Sequence, residues 1–139
     1  MSDTGMLKIL LVEPSNLLRR TVAMTVNSLG TAGVTEAATY TTAQQLCESQ
    51  RFDGAVVALD WPPANGLCQG LSLIQQIRSG EGASAASIPI AALVDSCDAE
   101  LLQILRDCAI SRILIKPFRV RDVVDTIDGM RDLARLATR

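Results

Sequence analysis

Stretches of four or five consecutive apolar residues alternate along the chain with segments whose apolar residues recur every three or four positions. The first run, Lys8 to Val12 (KILLV), has no polar alternation, as expected of a parallel strand covered on both faces. It stops at Glu13-Pro14. Ser15 then reads as the N-cap of a helix with Leu18, Val22, Val26 and Leu29 on one stripe, closing at Gly30. The pattern repeats through a short strand, Val34 to Ala37, and a helix capped by Thr41 or Thr42 with Ala43, Leu46 and Cys47 inward. Ala55 to Leu59 is a second wholly apolar strand, followed by a helix over Leu71 to Arg78. Ile90 to Val94 is a third such strand, and Ser96 or Asp98 caps the helix holding Leu101, Leu102, Leu105 and Cys108. Ile113 to Ile115 is the last strand, and Val120, Val123, Val124, Ile127 and Met130 mark the last helix.

Five strand-helix alternations joined by short loops predict a doubly wound parallel α/β sheet. Two connections are long: Pro62 to Gly70, and SGEGASAAS over residues 79 to 87, which is expected to be mobile. Ligands of such sheets bind at the carboxyl ends of the strands, which directs attention to Glu13, Pro14, Ala58 to Asp60, Val94, Asp95 and Lys116.

Composition narrows the function classes. The 139 residues make one domain, with a core expected over about 7–136, and 48% apolar content is ample to fill it. A net charge of −2 gives no reason to expect nucleic acid or a membrane surface, and no apolar run reaches the ~18 residues of a membrane span. The start MSDTGMLK lacks the layout of a secretion signal, so a soluble, cytoplasmic protein is expected. Cys47, Cys68, Cys97 and Cys108 form no CxxC pair and the chain has no histidine. A zinc or iron-sulfur site is therefore not expected, and schemes that rest on a Ser/His or Cys/His pair are excluded, so the chain is not read as an enzyme.

The segments ILLVEPSNLLRR, FDGAVV, GLSLIQQIR, IPIAALV and ILIKPF, in that order, resemble the receiver domain of bacterial response regulators, the CheY-like family, over nearly the whole chain. The resemblance implies a flavodoxin-like (βα)5 sandwich with strand order 2-1-3-4-5. It also implies a place in a two-component phosphorelay pathway, with a histidine kinase or an effector as signalling partner. The family transfers a phosphoryl group to an aspartate ending the third strand. It uses a divalent metal held by acids after the first strand, a Thr or Ser hydroxyl ending the fourth, and a Lys ending the fifth. The metal, hydroxyl and ammonium offset charge on the phosphoryl oxygens.

Against that pattern the chain departs at several positions. Glu13 stands at the first acid, but Pro14 replaces the second and offers neither a side-chain ligand nor a backbone donor. Val94 replaces the hydroxyl residue and Ile113 its aromatic partner, whereas Lys116, followed by Pro117 and Phe118, is kept. Lys116 is expected to pair with Glu13 whether or not phosphate arrives. Counting from Phe52-Asp53 or from Glu13 places the acceptor position at Ala58, which leaves no acceptor. A second register takes Asp60 as acceptor, with Mg²⁺ held by Glu13 and Asp60. It moves the carboxylate about 6 to 7 Å along the strand and keeps it on the same face, so hydrophobic patterning leaves both registers open. The Ala58 register is adopted, and with it a pseudo-receiver with no phosphoacceptor, no metal and no cofactor that acts by protein-protein interaction. The alternatives are an active regulator using Asp60 and a ligand or redox sensor in the vacated pocket.

Three further features bear on partners. Cys68 and Cys97 fall in loops at the same end of the sheet, which is what a redox switch would need. Arg112, Arg119, Arg121, Arg131, Arg135 and Arg139 gather in the last strand and helix. Interleaved aspartates, Asp122, Asp125, Asp128 and Asp132, predict an ion-paired face. The resemblance makes that face the one through which a partner or a homodimer would bind. Trp61 either covers the core or, with Leu67, anchors a partner.

Overall fold

A computed structural model describes residues 6–64 and 66–137, with side chains to residue 133. Five parallel strands form one sheet in the order β2-β1-β3-β4-β5: β1 Leu7–Val12, β2 Ala32–Ala37, β3 Gly54–Ala58, β4 Ile90–Val94 and β5 Arg112–Ile115. The helices are α1 Asn16–Leu29, α2 Tyr40–Ser49, α3 Gln69–Arg78, α4 Ala99–Asp107 and α5 Val120–Ala137. This is the predicted flavodoxin-like (βα)5 arrangement. Every residue of the inner strands β3 and β4 is buried, which is why they read as unbroken apolar runs.

Alternation along the strands divides the core in two. Leu10, Val12, Val57 and Ala92 point to the face covered by α2, α3 and α4, whereas Ile9, Leu11, Val56 and Leu93 point to the face covered by α1 and α5. Gly54 opens β3 because a Cβ there would lie 2.9 Å from Met130 Sδ of α5. Among the described residues no helix is long and apolar enough to cross a membrane.

The helix caps follow the sequence in part. Ser15 and Asp98 cap α1 and α4 through their side chains, and Gly30 closes α1 in the left-handed region at φ 73°. The cap of α2 is Thr39, not Thr41 or Thr42, because Thr39 is the last extended residue and its hydroxyl accepts from Thr42 N. Helix α3 starts two residues before the predicted Leu71 and has no side-chain cap from Cys68 at its N-cap position.

The 79–87 connection, expected to be mobile, is tied down at several points. Ser84 Oγ accepts from Phe52 N at 2.8 Å and Ala83 N donates to Cys47 O at 3.0 Å. From the end of α3, the Arg78 guanidinium donates to the carbonyls of Ala86 and Ile88 at 2.7 Å each. It also reaches Cys108 O at 2.7 Å and Ala109 O at 3.2 Å. One half-buried cation thus joins α3, the loop before β4 and the turn before β5 at the amino end of the sheet. Small residues in this loop serve close approach, since a Cβ on Gly82 would meet Cys47 O at 2.7 Å.

Candidate functional site

The carboxyl ends of β1, β3, β4 and β5 border a cleft of about 210 Å³. At its β1 side the chain turns through Glu13, Pro14 and Ser15 into α1. Glu13 is only 6% exposed, and its carboxylate bends back to accept from Ser15 N at 2.8 Å. The Glu13 carbonyl accepts from Arg19 Nη1 at 3.0 Å. Arg19 also donates to Glu36 Oε1 of β2 at 3.1 Å and to Asn16 Oδ1 at 2.7 Å. Arg19 is buried on the same helical stripe as Val22, Ala23 and Val26. The sequence reading missed it, although an arginine in register with an inward stripe is itself the signal of a paired, buried cation.

Strand β3 ends at Ala58, opposite Leu93 of β4, and Ala58 lines the cleft together with Glu13, Pro14 and Lys116. Its carbonyl accepts from the Tyr40 hydroxyl, which reaches over from the start of α2. Burial and then the Asp60 charge, with smaller contributions from Cys68 and Glu13, keep this phenol protonated, far above its ordinary pKa.

Asp60 lies two residues beyond the strand end, and its carboxylate is turned onto the start of α3. Oδ1 accepts from Cys68 Sγ at 3.0 Å and Gly70 N at 3.2 Å, and Oδ2 accepts from Gln69 N at 3.2 Å. It thus supplies the cap that Cys68 does not, at the positive end of the helix dipole. Burial pushes its carboxyl up, but the thiol and the two amides outweigh that and hold it below its ordinary value. Close approach of α3 to the strand end depends on Gly70, where a Cβ would lie 2.7 Å from Leu59 Cδ2 and 3.1 Å from Ala58 O.

Lys116 does not pair with Glu13 as expected. Its ammonium bonds Asp95 Oδ1 at 2.9 Å in a largely exposed pair. The register explains the difference: Val94 and Ile115 are partners in the β4-β5 ladder, so Asp95 and Lys116 follow side by side, while β3 and β4 separate Lys116 from β1. The hydrogen bond to Asp95 is the main cause that holds the Lys116 pKa above its ordinary value. Val94 is 2% exposed within the core, and Ile113 packs against the same cluster, so the two form an apolar contact layer rather than a hydroxyl-aromatic pair. Four charges border the cleft: the carboxylates of Glu13, Asp60 and Asp95 and the ammonium of Lys116. No three Asp, Glu or Cys side chains among the described residues converge as a metal ligand set.

The remaining candidates sort as follows. Cys68 is buried and donates to Asp60; burial first, and the hydrogen bond to Asp60 second, push its thiol up to about 11, opposite to what a reactive thiol needs. All four cysteines are free. Trp61 packs against the core and donates from Nε1 to Asp98 Oδ2 at 3.3 Å, while Leu67 is 62% exposed. On the last strand and helix Arg112, Arg119 and Arg121 are exposed, but Arg131 is half-buried, and its Nε has no partner among the described residues. The side chain of Arg135 and all of Arg139 lie outside the described residues. The expected ion-paired face is not formed among the described residues, and two of the four aspartates serve other groups. Asp122 Oδ2 accepts from Arg119 N at 2.8 Å at the start of α5, and Asp128 accepts from Thr31 Oγ1.

No protein-family model matches the chain, and no curated relative does. Solved structures do match. A CheY-like response regulator receiver domain from Methanospirillum hungatei superimposes with a TM-score of 0.77 at 15% identity, covering 95% of this chain and 98% of that one. The signal receiver domain of a LuxO repressor protein from Vibrio parahaemolyticus gives 0.77 at 16% identity, covering 96% and 95%. The chemotaxis protein CheY4 of Vibrio cholerae gives 0.71 at 23% identity, covering 90% and 98%. The chain has the fold of CheY-like response regulator receiver domains.

Proposed function

We propose that this receiver-fold chain is a signalling module that works by binding proteins and not by accepting a phosphoryl group. The observation that carries the reading is the end of β3. A methyl group, Ala58, stands where that strand meets the cleft, and the nearest downstream carboxylate, Asp60, already accepts three hydrogen bonds from Cys68 and the first amides of α3.

The rest of the cleft supports it. A phosphoryl group brings about −1.5 to −2 charge. It would meet Glu13, Asp60 and Asp95 with one ammonium, itself engaged by Asp95. Mg²⁺ could offset that charge only with ligands, and the donor set does not fit: Glu13 and Asp60 are each turned onto backbone amides and Pro14 supplies no oxygen from its side chain. Val94 and Ile113 offer no hydroxyl to sense a phosphate. Signalling proteins are the natural partners of such a module, and the exposed Arg112, Arg119 and Arg121 beside Ile115, 49% exposed on the sheet edge, are where we place a partner or a second copy.

Beryllofluoride, a mimic of aspartyl phosphate, provides the test. With Mg²⁺ present, amide resonances around Glu13, Ala58 and Lys116 are expected to stay within the shifts caused by Mg²⁺-free fluoride. Saturable, metal-dependent shifts at those residues would overturn the proposal in favour of an active regulator using Asp60.

A further inference from the structure

Helices α2 and α3 cover the same face of the sheet, and between them runs a groove of about 610 Å³, within the size range of built ligand sites. Their apolar residues, Ala43 and Cys47 on α2 and Leu71, Ile74 and Ile77 on α3, turn to the sheet. Polar side chains line most of the groove, chiefly Gln44, Gln69, Ser72 and Gln76, with the buried Leu73 of α3 among them. Both helices are crossovers of a parallel sheet and run in the same direction, so the groove has two unlike ends. Tyr40 and Leu67 stand at the end where the helices begin, and Leu67 is exposed there. Glu48 and Glu81 stand where the helices finish, so two carboxylates add to the negative ends of two helix dipoles.

No Lys or Arg lines the groove. Arg78, the nearest cation on α3, is committed to four carbonyls on the side of the loop before β4 and the turn before β5. A ten-residue helix is about 15 Å long. An extended peptide spans that distance in about four to five residues.

We propose that the α2-α3 groove docks a basic segment of a partner protein, which sets an apolar residue on Leu67 and Lys or Arg residues against Glu48 and Glu81, four to five positions away. The assignment rests on the reading of the chain as a binding module and names a surface and partner chemistry for it. Tyr40, the only tyrosine, walls both the groove and the strand-tip cleft and donates to Ala58 O, so occupancy is readable at the end of β3.

The experiment titrates the full chain at low salt with a short synthetic peptide carrying one Leu and an Arg pair at that spacing, read by amide spectra. Saturable shifts are expected over residues 40–48 and 67–76. The Glu48→Lys/Glu81→Lys variant should bind roughly tenfold more weakly, and Glu100→Lys/Asp107→Lys on α4 as tightly as the parent. Both pairs of sites are exposed, and an unchanged spectrum without peptide verifies folding. Shifts on α4 or α5, indifference to the Glu48 and Glu81 reversal, or no saturable binding would overturn the groove assignment. So would equal binding of spermidine without a shift at Leu67, which marks a polyamine site. None of these results bears on phosphate independence, which the beryllofluoride titration reads separately.

Discussion

The two ends of α3 are each held by one charged side chain that collects several backbone groups. At the start, Asp60 accepts from the amides of Gln69 and Gly70; at the finish, Arg78 donates to four carbonyls. The signs suit the helix dipole at both ends. Arg78 is half-buried where α3, the loop before β4 and the turn before β5 meet, whereas Asp60 sits in a loop on the rim of a cleft. Position alone makes Asp60 resemble an active residue, but the bonds it makes are of the same kind as those of Arg78. An acid at a strand tip is evidence of chemistry only when its lone pairs are free to do it.

Removing the heavier clasp should cost most. Arg78→Met is expected to destabilise the fold by about 2–3 kcal/mol, since several half-buried carbonyls lose a charged donor. Urea unfolding measures it, and a loss below ~1 kcal/mol would show that water replaces the guanidinium freely.

Asp60→Asn should cost about 1 kcal/mol, the usual worth of a helix cap. Its effect should depend on pH. The folded Asp60 carboxyl lies below its ordinary value of 3.8, so its contribution is fully present above that value and is lost as pH falls through the folded pKa. Parent and variant should therefore differ by a constant amount above about pH 5 and converge as pH falls below 3.8. A difference that grows on acidification would contradict the capping role.

Lys116→Met should matter least. Its pair with Asp95 is largely exposed, and a change within about 0.5 kcal/mol in unfolding free energy is expected. A larger loss would mean that the ammonium holds the cleft together.

The sequence carried these features unequally. Strands β1, β3 and β4 were legible because burial on both faces leaves unbroken apolar runs, and Asp98 and Ser15 were legible as caps because they immediately precede their helices. The Thr39 cap was missed by two to three residues because three threonines flank the same turn. Arg19 and Arg78 act on groups from Asn16 to Glu36 and from Ala86 to Ala109, contacts that only the folded chain creates. Asp60 was ambiguous for a specific reason: a two-residue slip preserves the face of a strand, so patterning could not say whether it ended β3 or began the loop. The partner of Lys116 was misjudged because Glu13 matched a family pattern, while strand register made Asp95 the neighbour.

The claim that Asp60 caps a helix and accepts no phosphoryl group is tested most directly by intact mass. The chain and its Asp60→Asn variant would be incubated with acetyl phosphate and Mg²⁺ and compared. Both masses are predicted to stay at those of the untreated chains. A phosphoryl mass gain in the parent that the variant lacks would contradict the account.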